Sequence, residues 1–391
     1  MNHFDTIHEN FEHKFAKQNS NMLRHMFGSD DVSSFWIADM DFPIAKPITD
    51  ELKRIADRSI YAYEFDRSSI FKAIVDWNED RHGLVLNRKS FVQVTGVLTG
   101  IAVAIRELTD PNDGILIQTP VYHQFAKVIK TAGRKIVRNP LQIVNGKYEM
   151  DFEDFEEKLR SKNVKVILLC NPHNPVGRVW KREELQKMID IAEAYGVTII
   201  SDEIHSDIIY SGNDFNSITS LGVERHISLI GSPAKTFGMQ SISNGYLYIP
   251  NEEIRSNIKK EVESMYLNHG NAFTTFATIA AFKGGGPWVD ELIAYLEKSI
   301  LWIQNYLETE LPMIKMLPIE GTYQIWLDFS ELDIQGDELN KFLVKKAKLA
   351  LTPGGWFDRE SGRHMRMNIA SPLSKIQLAF KQLRSAINEG I

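Results

Sequence analysis

One lysine in this sequence stands where covalent chemistry would need it. Lys235 follows a strand-like apolar run at 227–230 and lies in a turn of small residues, with Ser232 three positions before it. An amine fixed at the carboxyl end of a strand could form a Schiff base with a carbonyl cofactor, for which pyridoxal phosphate is the candidate. Taken alone, the stretch favours a surface lysine in a loop, so the rest of the chain must decide.

Three further polar residues, Tyr122, Asn174 and Asp202, follow apolar runs that we predict to be strands. Each has a use around a pyridoxal ring. A tyrosine can stack on the ring face, an asparagine can donate to the phenolate oxygen, and an aspartate can keep the pyridine nitrogen protonated. Lys235 would then attach the cofactor and later serve as the general base.

A turn of small residues, Thr95-Gly96-Val97-Leu98-Thr99-Gly100, separates a strand-like run from a predicted helix at 101–108. The first amides of a helix have no intrahelical acceptor, and the helix dipole favours an anion there. The turn could therefore bind a phosphate. Many such turns carry glycine for packing alone, so both explanations stay open at this point.

These candidate residues belong to elements that alternate in type. The apolar runs that predict strands are 91–94, 114–118, 164–170, 196–201 and 227–230. Helical spacing between the runs predicts helices. Strands that alternate with helices indicate an α/β fold with a mainly parallel sheet and helices on both faces. Ligands of such sheets bind beyond the carboxyl ends of the strands.

The domain organisation follows from length and from a change of pattern. At 391 residues the chain is long enough for two domains. A glycine-rich break at 284–288 precedes a long predicted helix and a region with a strand pair at 322–327 and 364–369. We predict three parts: an N-terminal arm with part of a small domain (1–45), a large domain (46–287) and a small α+β domain (288–391).

The segment 36–43, Trp-Ile-Ala-Asp-Met-Asp-Phe-Pro, alternates apolar and acidic residues before a proline. This alternation predicts a short strand whose carboxylates, Asp39 and Asp41, point outward. Two carboxylates so close could also hold a metal ion. No histidine stands nearby at ligand spacing, so we predict no metal site.

The composition argues against several classes of function. A net charge of −6 provides no basic face for nucleic acid or for an anionic membrane. No apolar run approaches the length of a membrane span, and the N-terminus lacks the hydrophobic region of a secretory signal. The single cysteine, Cys170, excludes an intrachain disulfide and a thiolate metal cluster. We therefore expect a cytoplasmic enzyme.

In order and combination, the motifs resemble those of the class I/II aminotransferase superfamily, the fold-type I pyridoxal-phosphate enzymes. Within it, the chain is similar to the cystathionine β-lyase-like C–S lyase branch, and the similarity runs through nearly the whole chain. The motifs that carry it are Trp36-Ile37-Ala38-Asp39-Met40-Asp41-Phe42, Thr119-Pro120-Val121-Tyr122, Asn171-Pro172-His173-Asn174-Pro175-Val176-Gly177, Ser201-Asp202-Glu203-Ile204-His205, Ser232-Pro233-Ala234-Lys235 and Arg366-Met367-Asn368.

The resemblance implies a role for each matching residue. At the ring, Lys235 matches the Schiff-base lysine, Asp202 the partner of the pyridine nitrogen, Asn174 the donor to the phenolate oxygen and Tyr122 the stacking aromatic. The residues that match phosphate ligands are Gly96, Val97, Leu98, Ser232 and Tyr63, the last reaching the partner subunit's cofactor across a homodimer interface.

On the substrate side, Arg366 matches the arginine that grips the α-carboxylate, a bidentate role that lysine fills poorly. The resemblance places Ala38, in the first motif, in the same substrate site. Arg363 is a competitor for the carboxylate role. We prefer Arg366 because Met365 and Met367 flank it in a strand-like alternation.

Two positions depart from the aminotransferase pattern. Ser243 stands where many members have an arginine that binds the phosphate, which mildly favours the lyase branch. His205 stands where many have a tyrosine that bonds the phenolate oxygen, and a buried histidine with a packing role is at least as good an explanation.

The sequence therefore predicts a homodimeric pyridoxal-phosphate enzyme that cleaves the Cβ–S bond of cystathionine or a related amino acid, giving a thiol, pyruvate and ammonia. An aminotransferase is the alternative, since it uses the same residues to remove the Cα proton and differs only in where that proton goes afterwards. A regulatory binding protein on the same fold is a lesser alternative. Fused regulators of that kind carry an N-terminal helix-turn-helix domain, for which the arm before Trp36 is too short.

Overall fold

The structure is a computed structural model that describes residues 3–8, 15–63, 68–222 and 227–390. Its strands are β1 (Ser33–Ser34), β2 (Phe91–Val94), β3 (Gly114–Thr119), β4 (Lys135–Pro140), β5 (Gln142–Val144), β6 (Lys147–Glu149), β7 (Val164–Cys170), β8 (Thr198–Asp202), β9 (Ile227–Gly231), β10 (Gly245–Tyr248), β11 (Lys315–Met316), β12 (Gln324–Asp328), β13 (Leu349–Ala350), β14 (Thr352–Pro353) and β15 (His364–Asn368). Its α-helices are α1 (Ser20–Phe27), α2 (Lys46–Asp57), α3 (Ser68–His82), α4 (Val97–Leu108), α5 (His123–Thr131), α6 (Phe152–Ser161), α7 (Arg182–Ala194), α8 (Ala234–Phe237), α9 (Glu252–Ser264), α10 (Ala272–Gly284), α11 (Gly286–Glu310), α12 (Gly336–Lys345) and α13 (Leu373–Asn388).

The large sheet has seven strands in the order β2-β10-β9-β8-β7-β3-β4. Only β10 runs antiparallel to its neighbours; the other adjacent pairs are parallel. The mainly parallel sheet predicted from the sequence is thus confirmed. The carboxyl ends of β7, β8 and β9 lie next to one another at one edge of this sheet, which is where a ligand site is expected.

Both faces of the sheet are covered by helices, as predicted. Along β7, the side chains of Val164, Ile167 and Leu169 join the apolar cluster that contains residues of α6 and α7. Val166 and Leu168 join the opposite cluster, with residues of α4, α5 and α9. A strand buried on both faces reads as a continuous apolar run, which is why the sequence located β7 to the residue.

The C-terminal region forms a second sheet in the order β11-β12-β15-β14, all antiparallel, packed with α11 and α13. The predicted strand pair is β12 with β15, in a register that places Trp326 opposite Arg366. The N-terminal strand β1 pairs with β13 of this region. The pairing agrees with an arm that shares the small domain, while the exact domain boundaries stay a prediction.

The strand predicted at 36–43 is wrong. The segment carries no strand, and its carboxylates do not point outward: Lys17, which is 2% exposed, pairs with Asp41 at 2.7 Å and with Asp39 at 3.2 Å. The side chain of Asn368 donates to the carbonyl of Ile37 at 2.6 Å. Ion pairs and side-chain bonds from distant parts of the chain hold this segment, instead of a neighbouring strand.

Helix α4 begins at Val97, four residues earlier than predicted, so that Gly96 is its N-cap and the predicted turn is its first turn. In the part of the chain that the structure describes, no helix combines the length and the apolar character that crossing a bilayer requires.

Candidate active site

A cavity of about 290 Å³ lies at the carboxyl ends of the central strands. Most of the residues predicted for the site line it. The lining residues are Ala38, Thr95, Gly96, Val97, Leu98, Thr99, Tyr122, Cys170, Asn174, Asp202, Ile204, His205, Ser232, Ala234, Lys235, Gln240 and Ser243. The structure therefore brings the lysine, the aspartate, the asparagine, the tyrosine and the glycine turn to one place.

Lys235 projects into this cavity from α8, a single helical turn directly after β9. Its amine donates to the carbonyl of Ala38, which also accepts from the hydroxyl of Tyr323 at 3.2 Å. Burial lowers the pKa of the Lys235 amine to about 8, although the carboxylates of Asp39 and Asp202 oppose the change. A useful fraction of the amine is thus neutral, and nucleophilic, near physiological pH.

Asp202 ends β8 and is 5% exposed. One carboxyl oxygen accepts from the amide of Ile204 at 3.2 Å. Burial raises the pKa of Asp202 to about 7, while that bond and the charge of Lys235 lower it. An ionised carboxyl that is buried with so few partners destabilises the fold unless a cation or a strong hydrogen-bond donor binds it. The cavity offers space for such a partner.

Asn174 and Tyr122 complete the predicted ring contacts. Asn174 is 4% exposed, and its Oδ1 accepts from Nη1 of Arg366 at 3.3 Å, which leaves the amide NH₂ to donate elsewhere. Tyr122 directly precedes α5, and burial raises the pKa of its phenol. The phenol is therefore neutral, as a stacking ring should be.

His205 also lines the cavity that Lys235 enters. Burial lowers the pKa of its imidazole to about 3, and the cations of Lys235 and Arg366 act in the same direction. Its ring packs edge-on against Tyr323, with centroids 5.6 Å apart. His205 is thus a neutral donor or acceptor in the site.

The turn at Gly96 has the properties that an anion needs. Gly96 places no side-chain cap on α4, so the first amides of the helix remain available, and a Cβ built on Gly96 would meet open space. Ser232 lies on the other side of the turn, but its hydroxyl already donates to the carbonyl of Asn244 at 2.8 Å and accepts from the amide of Ala234 at 3.2 Å. The hydroxyl of Ser232 would have to leave the carbonyl of Asn244 before it could donate to an anion.

Arg366 lies behind Asn174 and is 3% exposed. Its Nη2 donates to the carbonyl of Trp36 at 2.7 Å and to Oγ1 of Thr352 at 3.2 Å. Burial lowers its pKa to about 10, so the guanidinium keeps its charge at neutral pH. The rival candidate, Arg363, lies at the surface and donates to the carbonyl of Ser330 at 3.2 Å, away from the cavity lining.

Tyr63 is not in this cavity. Its side chain is 98% exposed and lines a second cavity of about 750 Å³ together with Tyr61 and the segment 268–273. Within one chain, the residue therefore has no access to Lys235. The four residues after it, 64–67, lie outside the described residues.

The sequence did not single out several cavity residues. Thr95 and Thr99 were named only as members of the predicted turn, without roles of their own, and Gln240 donates to the carbonyl of Ala38 at 3.5 Å. The two threonines had a signal, because a hydroxyl on either side of a helix N-terminus suits an anion. Gln240 had none, since only the folded chain brings it to the segment that contains Ala38.

The sequence of the chain matches a known protein family. The family described as aminotransferase class I and II matches residues 52–381. The chain belongs to this family.

Among its relatives, the chain is 36% identical to cystathionine beta-lyase PatB of Bacillus subtilis (strain 168), over 93% of this chain and 94% of that protein. It is 29% identical to protein MalY of Escherichia coli (strain K12), over 92% of this chain and 93% of that one.

Two solved structures are similar throughout. Cystalysin from Treponema denticola, which contains a pyridoxal 5'-phosphate cofactor, has a TM-score of 0.92 and 31% identity, covering 99% of this chain and 98% of that one. The PLP-bound C–S lyase from Staphylococcus hominis has a TM-score of 0.91 and 27% identity, covering 99% of each chain. The fold is therefore the fold-type I α/β architecture predicted from the sequence.

Proposed function

We propose that this chain is a pyridoxal-phosphate-dependent C–S β-lyase that acts on cystathionine or a related sulfur amino acid. The observation that carries the proposal is the meeting, in one cavity, of a lysine of lowered pKa, a buried aspartate of raised pKa and an uncapped helix N-terminus. The relatives that match along nearly the whole chain include a cystathionine beta-lyase.

The residues present fit this cofactor. The first turn of α4, with Thr95 and Thr99, suits a phosphate. Asp202 needs a cationic or strongly donating partner, such as a protonated ring nitrogen, and the amine of Lys235 suits an aldehyde. When bound, the cofactor withdraws electrons from the bond to the substrate's Cα proton and so makes that proton removable.

The chain's own residues then divide the work. Arg366 keeps its charge and, with the side chain of Asn174 beside it, would orient the substrate's α-carboxylate. The neutral Lys235 amine would take the Cα proton. The Cβ–S bond then breaks, the sulfur leaves as a thiol once it gains a proton, and the remaining three-carbon fragment is hydrolysed to pyruvate and ammonia.

The aminotransferase alternative shares these residues up to the removal of the Cα proton. The chain is also 25% identical to aspartate aminotransferase of Pyrococcus horikoshii, over 92% of this chain. Ser243, which lines the cavity where many aminotransferases carry a phosphate-binding arginine, favours the lyase.

Product analysis tests the proposal. Protein loaded with pyridoxal phosphate is mixed with cystathionine, and pyruvate and free thiol are measured. The lyase proposal requires both products in equal amounts over many turnovers. If neither is released while pyridoxamine phosphate accumulates, the aminotransferase alternative replaces it.

We further propose a homodimer in which Tyr63 of each subunit completes the partner's site. The support for it is the exposure of Tyr63 beside a large cavity that is separate from the one around Lys235. A cytoplasmic location stays a prediction.

A further inference from the structure

The helix that carries Lys235 is too short to fix the lysine by itself. It has four residues, and few backbone bonds close it: Phe237 donates to the carbonyl of Pro233 at 3.1 Å, and Gly238 and Met239, which follow the helix, both donate to that of Ala234. A single helical turn is not a stable unit in isolation. Contacts from outside the helix must therefore hold the lysine in place.

On the cavity side, the hydroxyl of Ser232 provides one such contact at the amide of Ala234. On the opposite side, the residue after the lysine provides another. The hydroxyl of Thr236, which is 1% exposed, donates to Oδ2 of Asp207 at 2.6 Å. A short bond from a hydroxyl to a carboxylate is among the stronger hydrogen bonds in proteins.

Asp207 is itself held rigidly. It is 6% exposed, and its Oδ1 accepts from Nε1 of Trp77 and from Nε2 of His82, both at 2.9 Å. Both donors belong to the last two turns of α3, and Arg81 of the same helix lies 3.9 Å from the carboxylate. Although burial opposes it, bonds from His82, Thr236 and Trp77 keep the pKa of Asp207 below its usual value, so the carboxylate is ionised.

We infer that Asp207 is a positioning residue, which anchors the lysine-bearing turn to the end of α3 through Thr236. The inference rests on the proposed function, because it assigns the anchor's purpose to the cofactor chemistry of Lys235. Without the anchor, the turn can shift while the cavity keeps its shape. A displacement of about 1 Å at a reacting amine can lower a rate by up to about a hundredfold.

The test compares variants of the holoenzyme and of the cofactor-free protein. Thr236→Val removes the hydroxyl and keeps the shape, whereas Thr236→Ser keeps the hydroxyl. Thr278→Val is the matched control, because Thr278 is also 1% exposed and its hydroxyl bonds the carbonyl of Thr274 within its own helix, α10. The rate at which cofactor-free protein captures pyridoxal phosphate is followed by absorbance, together with kcat, KM and Tm.

We expect Thr236→Val to slow cofactor capture and to lower kcat by about tenfold or more, with KM changed less than about twofold. Thr236→Ser is expected to stay within about twofold of the wild type in both the capture rate and kcat. The same is expected of Thr278→Val, even if its Tm falls as much as that of Thr236→Val. Asp207→Asn, which keeps the size of the side chain, is expected to follow Thr236→Val.

If Thr236→Val captures the cofactor and turns over substrate as fast as Thr278→Val does, the Thr236–Asp207 bond does not position Lys235, and the inference is wrong. A wild-type protein that captures no cofactor at all would instead overturn the proposed function, and this inference with it.

Discussion

Lys235 and Asp202 line the same cavity, and burial moves their pKa values in opposite directions, to about 8 and about 7. Each value lies close to neutrality because burial disfavours the charged form and neither charge is fully compensated within the chain. A fold keeps two such groups at the cost of stability, and perturbed groups of this kind cluster at sites of chemistry. Both shifts have measurable consequences in the cofactor-free protein.

The first consequence concerns the pH dependence of cofactor capture. Only a neutral amine attacks an aldehyde, so the capture rate should rise with pH as Lys235 loses its proton and level off above about pH 8. A simple Nα-acetylated lysine, whose pKa is about 10.4, serves as control and should react ever faster up to about pH 10. A capture rate that keeps rising tenfold per pH unit, as the control does, would show that the pKa of Lys235 is not lowered.

The second consequence concerns stability. In the folded chain, Asp202 binds a proton up to about pH 7, whereas an aspartate in the unfolded chain releases it near its ordinary pKa of 3.8. The native state binds more protons in this window, so the free energy of unfolding falls as the pH rises. Asp202→Asn lacks this titration. Its Tm relative to the wild type, both without cofactor, should rise by a few degrees between pH 5 and pH 8. A Tm difference that does not change with pH would contradict the shift.

At the scale of elements, the phosphate turn depends on a close approach between α4 and β10. Gly245 lies so close to the turn that a Cβ there would stand 2.7 Å from the carbonyl carbon of Gly96 and 2.8 Å from the amide nitrogen of Val97. Real Cβ atoms do not approach backbone atoms so closely, so a side chain at this position must move the first turn of the helix.

Gly245→Ala should therefore weaken the affinity for pyridoxal phosphate by at least about tenfold, or about 1.4 kcal/mol. Gly100→Ala is the matched control on the same helix. Its Cβ would meet the side chains of Leu247 and Val94, at 3.2 Å, and not the backbone of the turn, so the affinity should stay within about twofold. Equilibrium titration measures both affinities. If the two variants lose affinity for pyridoxal phosphate equally, the result contradicts phosphate binding by this turn.

The elements also show what sequence patterns reveal and what they miss. Strands β2 and β7 were located to the residue, because an apolar run between polar turns is a local signal. The start of α4 was missed, since a glycine and β-branched residues resemble a turn more than a helix. The segment 36–43 was misread because Lys17 and Asn368, which hold it, are distant in sequence.

The same contrast holds for the site. That Lys235, Asp202, Asn174 and Tyr122 lie in one cavity could be predicted, because each stands near the end of a predicted strand or lies in a recognisable motif. No local pattern points to Thr236 and Asp207, whose bond spans 29 residues and closes only in the folded chain.

At the scale of the whole molecule, one chain brings most of the predicted site residues to one cavity, whereas Arg366 lies behind Asn174 and Tyr63 is exposed beside a different cavity. If Tyr63 completes the partner's site, Tyr63→Ala and Lys235→Ala should each be poorly active alone and complement one another when mixed. Half of a random mixture is mixed dimers, each with one intact site, so activity should recover to about a quarter of the wild-type value.

The matched control for that experiment is a mixture of Lys235→Ala with Asp202→Asn. Both residues line the same cavity of the same chain, so a mixed dimer has no intact site. Recovery in the control, or its absence in the test mixture, would contradict a shared site. Sedimentation of the active wild type as a monomer would do the same.

The central claim is that Lys235 holds the cofactor in the cavity it shares with Asp202 and Asn174. It is tested most directly by reducing the cofactor-loaded protein with borohydride, digesting it and locating the added pyridoxyl phosphate by mass spectrometry. We predict the label on the peptide that contains Lys235, and none on the same peptide of Lys235→Ala. A label that falls on another lysine of the wild type, or that survives in full in Lys235→Ala, would contradict this assignment.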